Sequence, residues 1–116
     1  MTAIALTVIS LLVLAANGDS WSGKPRPRWL PRIWWSIGMC ETGLDWHFAN
    51  SSYVTAFGIY RPAWASFRSS HEPAVPEQAT PQQQLAVARA IWRRYGFSGW
   101  GCYTHGGYLY WLRVAP

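Results

Sequence analysis

The sequence predicts a small α+β domain that is mostly helical, with one short β-hairpin or extended segment. Two stretches, residues 31–40 and 81–95, repeat apolar side chains at helical spacing. Between them, residues 53–60 are rich in β-branched and aromatic side chains, which favour strands. A chain of 116 residues with these elements is long enough for one domain.

The first helix is predicted over residues 31–40. Its opening proline suits a first helical turn, and Ile33, Ile37 and Cys40 share one face at i, i+4 and i+7. Gly43 follows at the place where a glycine commonly ends a helix. The apolar face of this helix is therefore expected to pack against the core.

Glu41 lies in the last turn of this helix, at the edge of the apolar face. Partial burial disfavours the charged form of a carboxyl group, and so does the negative end of the helix dipole, so both effects raise its pKa. A general acid that works near neutral pH needs such a raised pKa. Glu41 is therefore a candidate catalytic acid, and the alternative is a solvated glutamate that ends a helix.

The later helices are predicted from their own start and stop signals. Residues 61–67 carry a proline in a first helical turn and place their apolar side chains on one side. The helix over residues 81–95 is preceded by a capping box of Thr80 and Gln83, and Gly96 ends it. Its apolar stripe consists of Leu85, Ala88, Ile91, Trp92 and Tyr95.

The N-terminal residues are predicted to lie outside the folded domain. Residues 1–16 form an apolar run that predicts a signal peptide, with an uncleaved membrane anchor as the alternative. Residues 17–30 are rich in Gly, Ser, Pro and Arg, which indicates an extended basic linker. The domain is then expected over residues 31–103, with an aromatic C-terminal tail over 104–116 that either packs on it or forms an edge strand. The protein would be secreted or wall-associated, or membrane-anchored if the leader is kept.

Export would allow Cys40 and Cys102 to form a disulfide, because the compartments outside the cytoplasm are oxidising. A folded region of this size benefits from such a covalent link. A metal site made of the two thiolates and His105 is the alternative.

The net charge of +5 comes from ten basic and five acidic residues. A basic exported protein is attracted to polyanions, which include bacterial wall polymers and anionic lipid. Export argues against nucleic acid as a partner, and simple solubility is the alternative that needs no partner. The sequence has no arrangement typical of nucleophilic catalysis and no phosphate-binding loop.

Four sequence features occur in an order and at a spacing that are typical of one protein family. They are WxxIxxCETGxDW at residues 34–46, Trp64, ATPQQQLAVARAI at residues 79–91 and GFSGWGC at residues 96–102. In this order they resemble the catalytic domain of the resuscitation-promoting factors, which are exported actinobacterial peptidoglycan-cleaving proteins with a small lysozyme-like fold. The resemblance covers about residues 31–103.

The resemblance implies that Glu41 is the catalytic acid and that Cys40 and Cys102 form the disulfide of the family. It implies cleavage of the β-1,4 bond of peptidoglycan glycan strands by lytic transglycosylation, in which one glutamate acts first as acid and then as base. No cofactor and no metal are expected. The partners would be the glycan strands and, as a candidate, a wall endopeptidase, with the membrane contacted only through an uncleaved leader.

The chain departs from the family pattern around the expected groove. Gly58 stands in place of a glutamine expected to touch sugar, and Thr55 and Ala56 replace a glycine pair. Asp45 replaces the usual asparagine, so hydrolysis by Glu41 with Asp45 stays open as an alternative mechanism. The predicted substrate-binding side chains are Asp45, Trp46, Tyr53, Phe57, Tyr60 and Trp64.

The many aromatic residues have two predicted uses. Trp34, Trp64 and Trp92 hold helical positions that are typical of a core, while Trp46 and Tyr53 flank the loop beyond the candidate acid. The alternative function is a wall-binding or signalling module with weak or no turnover, which the departure at position 58 makes credible. A phage-encoded wall-penetration protein would use the same chemistry.

Overall fold

Residues 24–116 are described by the computed structural model of the protein. The predicted leader and residues 17–23 of the predicted linker lie outside the described residues. The helices are α1 (Arg32–Thr42), α2 (Arg61–Phe67), α3 (Pro81–Tyr95), α4 (Gly101–Thr104) and α5 (Tyr108–Val114), the strands are β1 (Tyr53–Val54) and β2 (Ile59–Tyr60), and short 3-10 helices cover Pro76–Gln78 and Gly96–Gly99. Within this part of the chain, no helix is both long and apolar enough to span a bilayer.

The two strands form one antiparallel hairpin, in which Tyr53 lies directly opposite Tyr60. Residues 55–58 turn the chain between the strands, and both Thr55 (φ 73°) and Gly58 (φ 61°) adopt left-handed backbone conformations there. The predicted class, a mostly helical α+β fold with a short hairpin and one disulfide, is confirmed.

Helix α1 ends at Thr42, two residues beyond Cys40, and its last turn includes Glu41, as the sequence predicts. Gly43 ends it in the left-handed conformation (φ 72°), as the sequence predicts. The N–H of Gly43 donates to the carbonyl of Met39 (3.0 Å) and the N–H of Leu44 to that of Gly38 (2.9 Å). These bonds turn the chain sharply after the helix and bring Leu44 back onto it.

The core lies between α1, the hairpin turn, α2 and α3. Trp34 and Trp64 are buried, as expected. The prediction is wrong for Trp92, which is 41% exposed, and for Tyr95, which is 53% exposed. The apolar stripe of α3 is wider than the face that the core covers: Leu85, Ala88 and Ile91 are buried, while the two aromatic residues near the end of the helix lie beside the core.

Residues 24–30, which the sequence places in the linker, are bound to the domain. Leu30 is fully buried, and the Nζ of Lys24 donates to the carbonyl of Leu44 at 2.8 Å. The indole Nε1 of Trp35 donates to the carbonyl of Lys24 at 3.2 Å. A Pro- and Arg-rich composition predicts a linker, but it does not reveal that the cations of this segment reach backbone carbonyls of the domain.

The aromatic C-terminal tail packs on the domain as a helix and not as an edge strand. Helix α5 lies against α1, with the ring of Trp111 edge-on to that of Trp35 at 6.0 Å. The guanidinium of Arg32 donates to the carbonyl of Leu112 at 2.9 Å. The folded part of the chain therefore continues beyond the predicted boundary at residue 103.

Gln84 is a buried polar residue of α3 whose side chain makes hydrogen bonds to three backbone groups outside this helix. Its Oε1 accepts the N–H of Ala56 at 3.0 Å, and its Nε2 donates to the carbonyls of Trp46 at 2.8 Å and Ala79 at 3.3 Å. One side chain thereby links α3 to the hairpin turn and to the segment that follows α1.

We expect Gln84→Ala to lower the free energy of unfolding by about 3 kcal/mol, because it leaves buried backbone groups without partners and opens a cavity. Denaturant unfolding measures this loss. Gln82→Ala is the matched control: it removes an exposed glutamine from the same helix and should change stability by less than about 0.5 kcal/mol. Equal stability of the two variants would contradict the role of Gln84.

Candidate active site

Glu41 faces an open cleft of about 280 Å³. It lies in the last turn of α1, where its Oε2 accepts the backbone N–H of Cys102 at 3.1 Å. The cleft is lined by Glu41, Thr42, Phe48, Tyr53, Gly58, Gly99, Trp100 and Gly101. One wall of the cleft thus comes from the end of α1, and a second from the hairpin and the segment before it. The third wall comes from residues 99–101, which follow α3 and, together with Cys102, are called the return segment below.

The hairpin wall of the cleft is open next to the carboxyl group because residue 58 is a glycine. A Cβ at this position would lie 3.6 Å from Oε1 of Glu41, and the left-handed backbone there (φ 61°) disfavours any other residue. On the end of α1, the hydroxyl of Thr42 donates to the carbonyl of Ala56 at 2.7 Å. That bond fixes the hairpin turn against the helix that carries Glu41.

The return segment is fixed by one tryptophan and one disulfide. Trp100 is buried, and its Nε1 donates to the carbonyl of Phe57 at 3.0 Å. Cys40 and Cys102 form a disulfide, with their Cα atoms 6.0 Å apart, which confirms the predicted pair. Both sulfurs are used in this bond, so the alternative metal site with His105 is wrong. Because Glu41 follows Cys40, the disulfide also holds the N–H of Cys102 next to the carboxyl group.

Burial raises the pKa of Glu41 above its ordinary value of 4.5, and the hydrogen bond from the Cys102 N–H, which lowers it, offsets only part of that effect. The direction agrees with the sequence analysis, and burial is one of the two causes given there. A carboxyl group of this kind keeps its proton at a higher pH than a solvated glutamate does. It can therefore donate a proton closer to neutral pH.

The raised pKa of Glu41 makes the stability of the folded protein depend on pH. Ionising Glu41 costs more free energy in the folded chain than in the unfolded one, so its contribution to stability is full below pH 4.5 and is lost as the pH rises through the folded pKa. We expect the stability of wild type relative to Glu41→Gln to fall as the pH rises. Thermal unfolding of both proteins from about pH 4 to about pH 8 measures this difference, in which the other titrating groups cancel. A difference that rises with pH would contradict the burial of this carboxyl group.

The predicted substrate-binding aromatic residues divide into accessible and buried ones. Tyr53 is 46% exposed and lines the cleft, and its ring lies 5.6 Å from that of Tyr60 on the neighbouring strand. Trp46 is partly buried between the rings of Trp29 at 5.8 Å and Phe57 at 5.7 Å. Of these residues, only Tyr53 contributes directly to the lining of the cleft.

Phe57 and Trp64 are not available to a ligand, which corrects the prediction for both. Phe57 is fully buried against Trp34, at 5.6 Å between ring centroids. Trp64 is 1% exposed, and its Nε1 donates to the carbonyl of Pro73 at 3.0 Å. Both rings belong to the core because the hairpin turn and α2 fold over α3.

Asp45 also lies outside the lining of the cleft. Its Oδ1 accepts the N–H of His47 at 2.9 Å, and its own N–H donates to the hydroxyl of Thr42 at 3.0 Å. This carboxylate thus closes a local turn after α1. Glu41 is the one carboxylate among the cleft-lining residues of the described chain.

Several residues of the cleft were missed by sequence reasoning. They are Thr42, Phe48, Gly99, Trp100 and Gly101, together with the N–H of Cys102. The signal that could have found residues 99–101 is Trp100 between two glycines, since glycines beside a large buried side chain leave a stretch of cleft wall without side chains.

Comparison of the chain with known protein families and with curated protein sequences finds no match.

Proposed function

We propose that this protein cleaves the β-1,4 bond of peptidoglycan glycan strands, with Glu41 as the single general acid and base. The observation that carries the proposal is a half-buried carboxyl group with a raised pKa, directed into an open cleft. The resemblance to the resuscitation-promoting factors supplies the substrate class. A lysozyme-like fold and export from the cell are parts of the same proposal, and the disulfide is compatible with export.

The carboxylates of the described chain favour a mechanism with one such group. Glu41 alone lines the cleft, and Asp45 is used in a turn. Glu77 is paired with Arg61 at 2.7 Å, and Glu72 accepts the N–H of Ser69 at 2.7 Å. A two-carboxylate glycosidase needs a second such group across the scissile bond, which none of these provides.

In the proposed reaction, Glu41 first donates its proton to the glycosidic oxygen as the bond from C1 to that oxygen breaks. The resulting carboxylate then accepts the proton of the 6-hydroxyl group of the same sugar, while the oxygen of that group bonds to C1. The products are a free 4-hydroxyl on one fragment and a 1,6-anhydro ring on the other. Glu41 regains its proton, so neither water nor an enzymic nucleophile is consumed.

The two oxygens of the carboxyl group have different surroundings. Oε2 is held by the N–H of Cys102, whereas Oε1 lies on the side of Gly58, where no side chain covers it. We therefore assign the transferred proton to Oε1. Tyr53, whose exposed ring lies at the rim of the cleft, is the aromatic residue best placed to contact a sugar ring.

Incubation of the protein with purified peptidoglycan, followed by mass analysis of the soluble products, tests the proposal. Fragments with 1,6-anhydro ends are the expected result. Fragments with reducing ends only would show hydrolysis and contradict the one-carboxylate route. Release of no fragments would overturn the enzymatic proposal altogether.

A wall-binding module without turnover is the second candidate function, and one observation favours it. Position 58 carries no side chain that could position a sugar at the carboxyl group. In that case the same incubation would give cosedimentation with peptidoglycan and no soluble products.

A further inference from the structure

A second cleft, of about 500 Å³, lies between the start of α1 and the end of α3. Its lining includes Ile33, Trp34, Arg89, Trp92 and Arg93, and it shares no residue with the lining of the Glu41 cleft. The rings of Trp34, in this lining, and Trp100, in the other, are 5.2 Å apart. The two clefts are therefore separate sites, and the contact between these two buried tryptophan rings lies between them.

The second cleft combines an exposed aromatic ring with two cations. Arg89, Trp92 and Arg93 are spaced i, i+3 and i+4 on α3, so they are neighbours on one helix face. Trp92 is 41% exposed and rests on the ring of Phe97 at 5.7 Å. An indole supported on one side presents a flat apolar surface on the other.

Two arginines outside this cleft already have partners within the described residues. Arg61 pairs with Glu77, and the guanidinium of Arg94 lies over the ring of Tyr95 at 4.8 Å. Arg89 and Arg93 have no ion pair and no side-chain hydrogen bond with any other residue in the range 24–116. A guanidinium group binds carboxylates through two parallel hydrogen bonds.

We propose that this second cleft is a non-catalytic binding site for a peptidoglycan strand, with a sugar ring on Trp92 and a carboxylate of the strand on Arg89 or Arg93. A glycan that carries stem peptides offers flat pyranose faces and carboxylates along the same chain, which matches this pairing of ring and cations. The choice of polymer rests on the proposed function, whereas the location of the site rests on the geometry of α3. Such a site would keep the protein on an insoluble polymer between cleavage events.

Cosedimentation of the full chain with insoluble peptidoglycan, treated with protease and stripped of secondary wall polymers, tests this site. The Glu41→Gln background keeps the polymer intact during the measurement. We expect Trp92→Ala to weaken binding about tenfold and Arg93→Gln about threefold, with a loss of salt dependence. Arg94→Gln is the matched control: it removes the neighbouring charge outside the cleft and should leave binding unchanged.

Unchanged binding in both Trp92→Ala and Arg89→Gln/Arg93→Gln would overturn the site, and the second variant removes only exposed groups that the fold does not need. Binding that requires the phosphate-rich secondary polymers, or a protein that protease removes, would also overturn it. Failure of this proposal and failure of the proposed function are distinguishable. Trp92-dependent sedimentation without any cleavage of peptidoglycan by the wild type would leave this site standing and reject the enzyme.

Discussion

Glu41→Gln should abolish the release of soluble fragments from peptidoglycan, with a loss of about a thousandfold in rate. Glutamine keeps the size of the side chain and can still accept the N–H of Cys102, so the cleft stays intact. It has no acidic proton for the glycosidic oxygen, and it cannot act as a base toward the 6-hydroxyl group. Both steps of the proposed reaction are therefore lost at once.

Zymography on purified peptidoglycan, with wild type and variant side by side, measures this loss. Asp45→Asn is the matched control, because asparagine keeps the oxygen that accepts the N–H of His47 while it removes the carboxylate nearest to Glu41 in the sequence. The one-carboxylate route predicts that Asp45→Asn keeps most of the activity. Full activity of Glu41→Gln would show that another group is the acid, and loss of activity in Asp45→Asn would favour hydrolysis with two carboxylates.

The elements that the sequence predicts well are those determined by local signals. The capping box of Thr80 and Gln83 is present, and the helix that follows it begins and ends at the predicted residues. Gly43 ends α1 in the left-handed conformation because only a residue without Cβ adopts it at little cost. Burial of Glu41 was also predictable, since its place beside an apolar helix face depends on spacing alone.

The predictions of burial that were wrong concern which residues the core includes. Trp92 continues the apolar stripe of α3, yet residues 24–116 cover its ring only in part, which leaves 41% of the residue exposed. Phe57 lies in a β-prone stretch next to the cleft, but the hairpin turn carries its ring inward to Trp34. A periodic pattern indicates which residues share a face, and it does not indicate how much of that face another element covers.

The sequence analysis did not predict that the return segment forms a wall of the cleft, because the contacts that hold it there join residues far apart in the sequence. The N–H of Cys102 meets Glu41 across 61 residues, and the indole of Trp100 meets the carbonyl of Phe57 across 43. A backbone N–H has no signature in the sequence, because every residue except proline carries one. The cysteine pair was the one long-range contact whose chemistry made it predictable.

Replacement of both Cys40 and Cys102 by serine should lower the free energy of unfolding by about 4 kcal/mol, because the disulfide closes a long loop in the unfolded chain. The two residues are separated by 62 positions, and the bond joins α1 to α4. Denaturant unfolding of the wild type and the double variant measures this difference. Reducing agent should destabilise the wild type to the level of the variant and leave the variant itself unchanged.

The same variant also tests whether the disulfide positions the N–H that Glu41 accepts. That hydrogen bond lowers the pKa of Glu41, so a looser return segment should let the pKa rise further above its ordinary value. An NMR titration of the Glu41 carboxyl carbon, under conditions where the double variant is still folded, measures this shift. A less stable variant with an unchanged Glu41 titration would mean that Trp100 alone holds the return segment, and that the disulfide stabilises the fold without organising the candidate site.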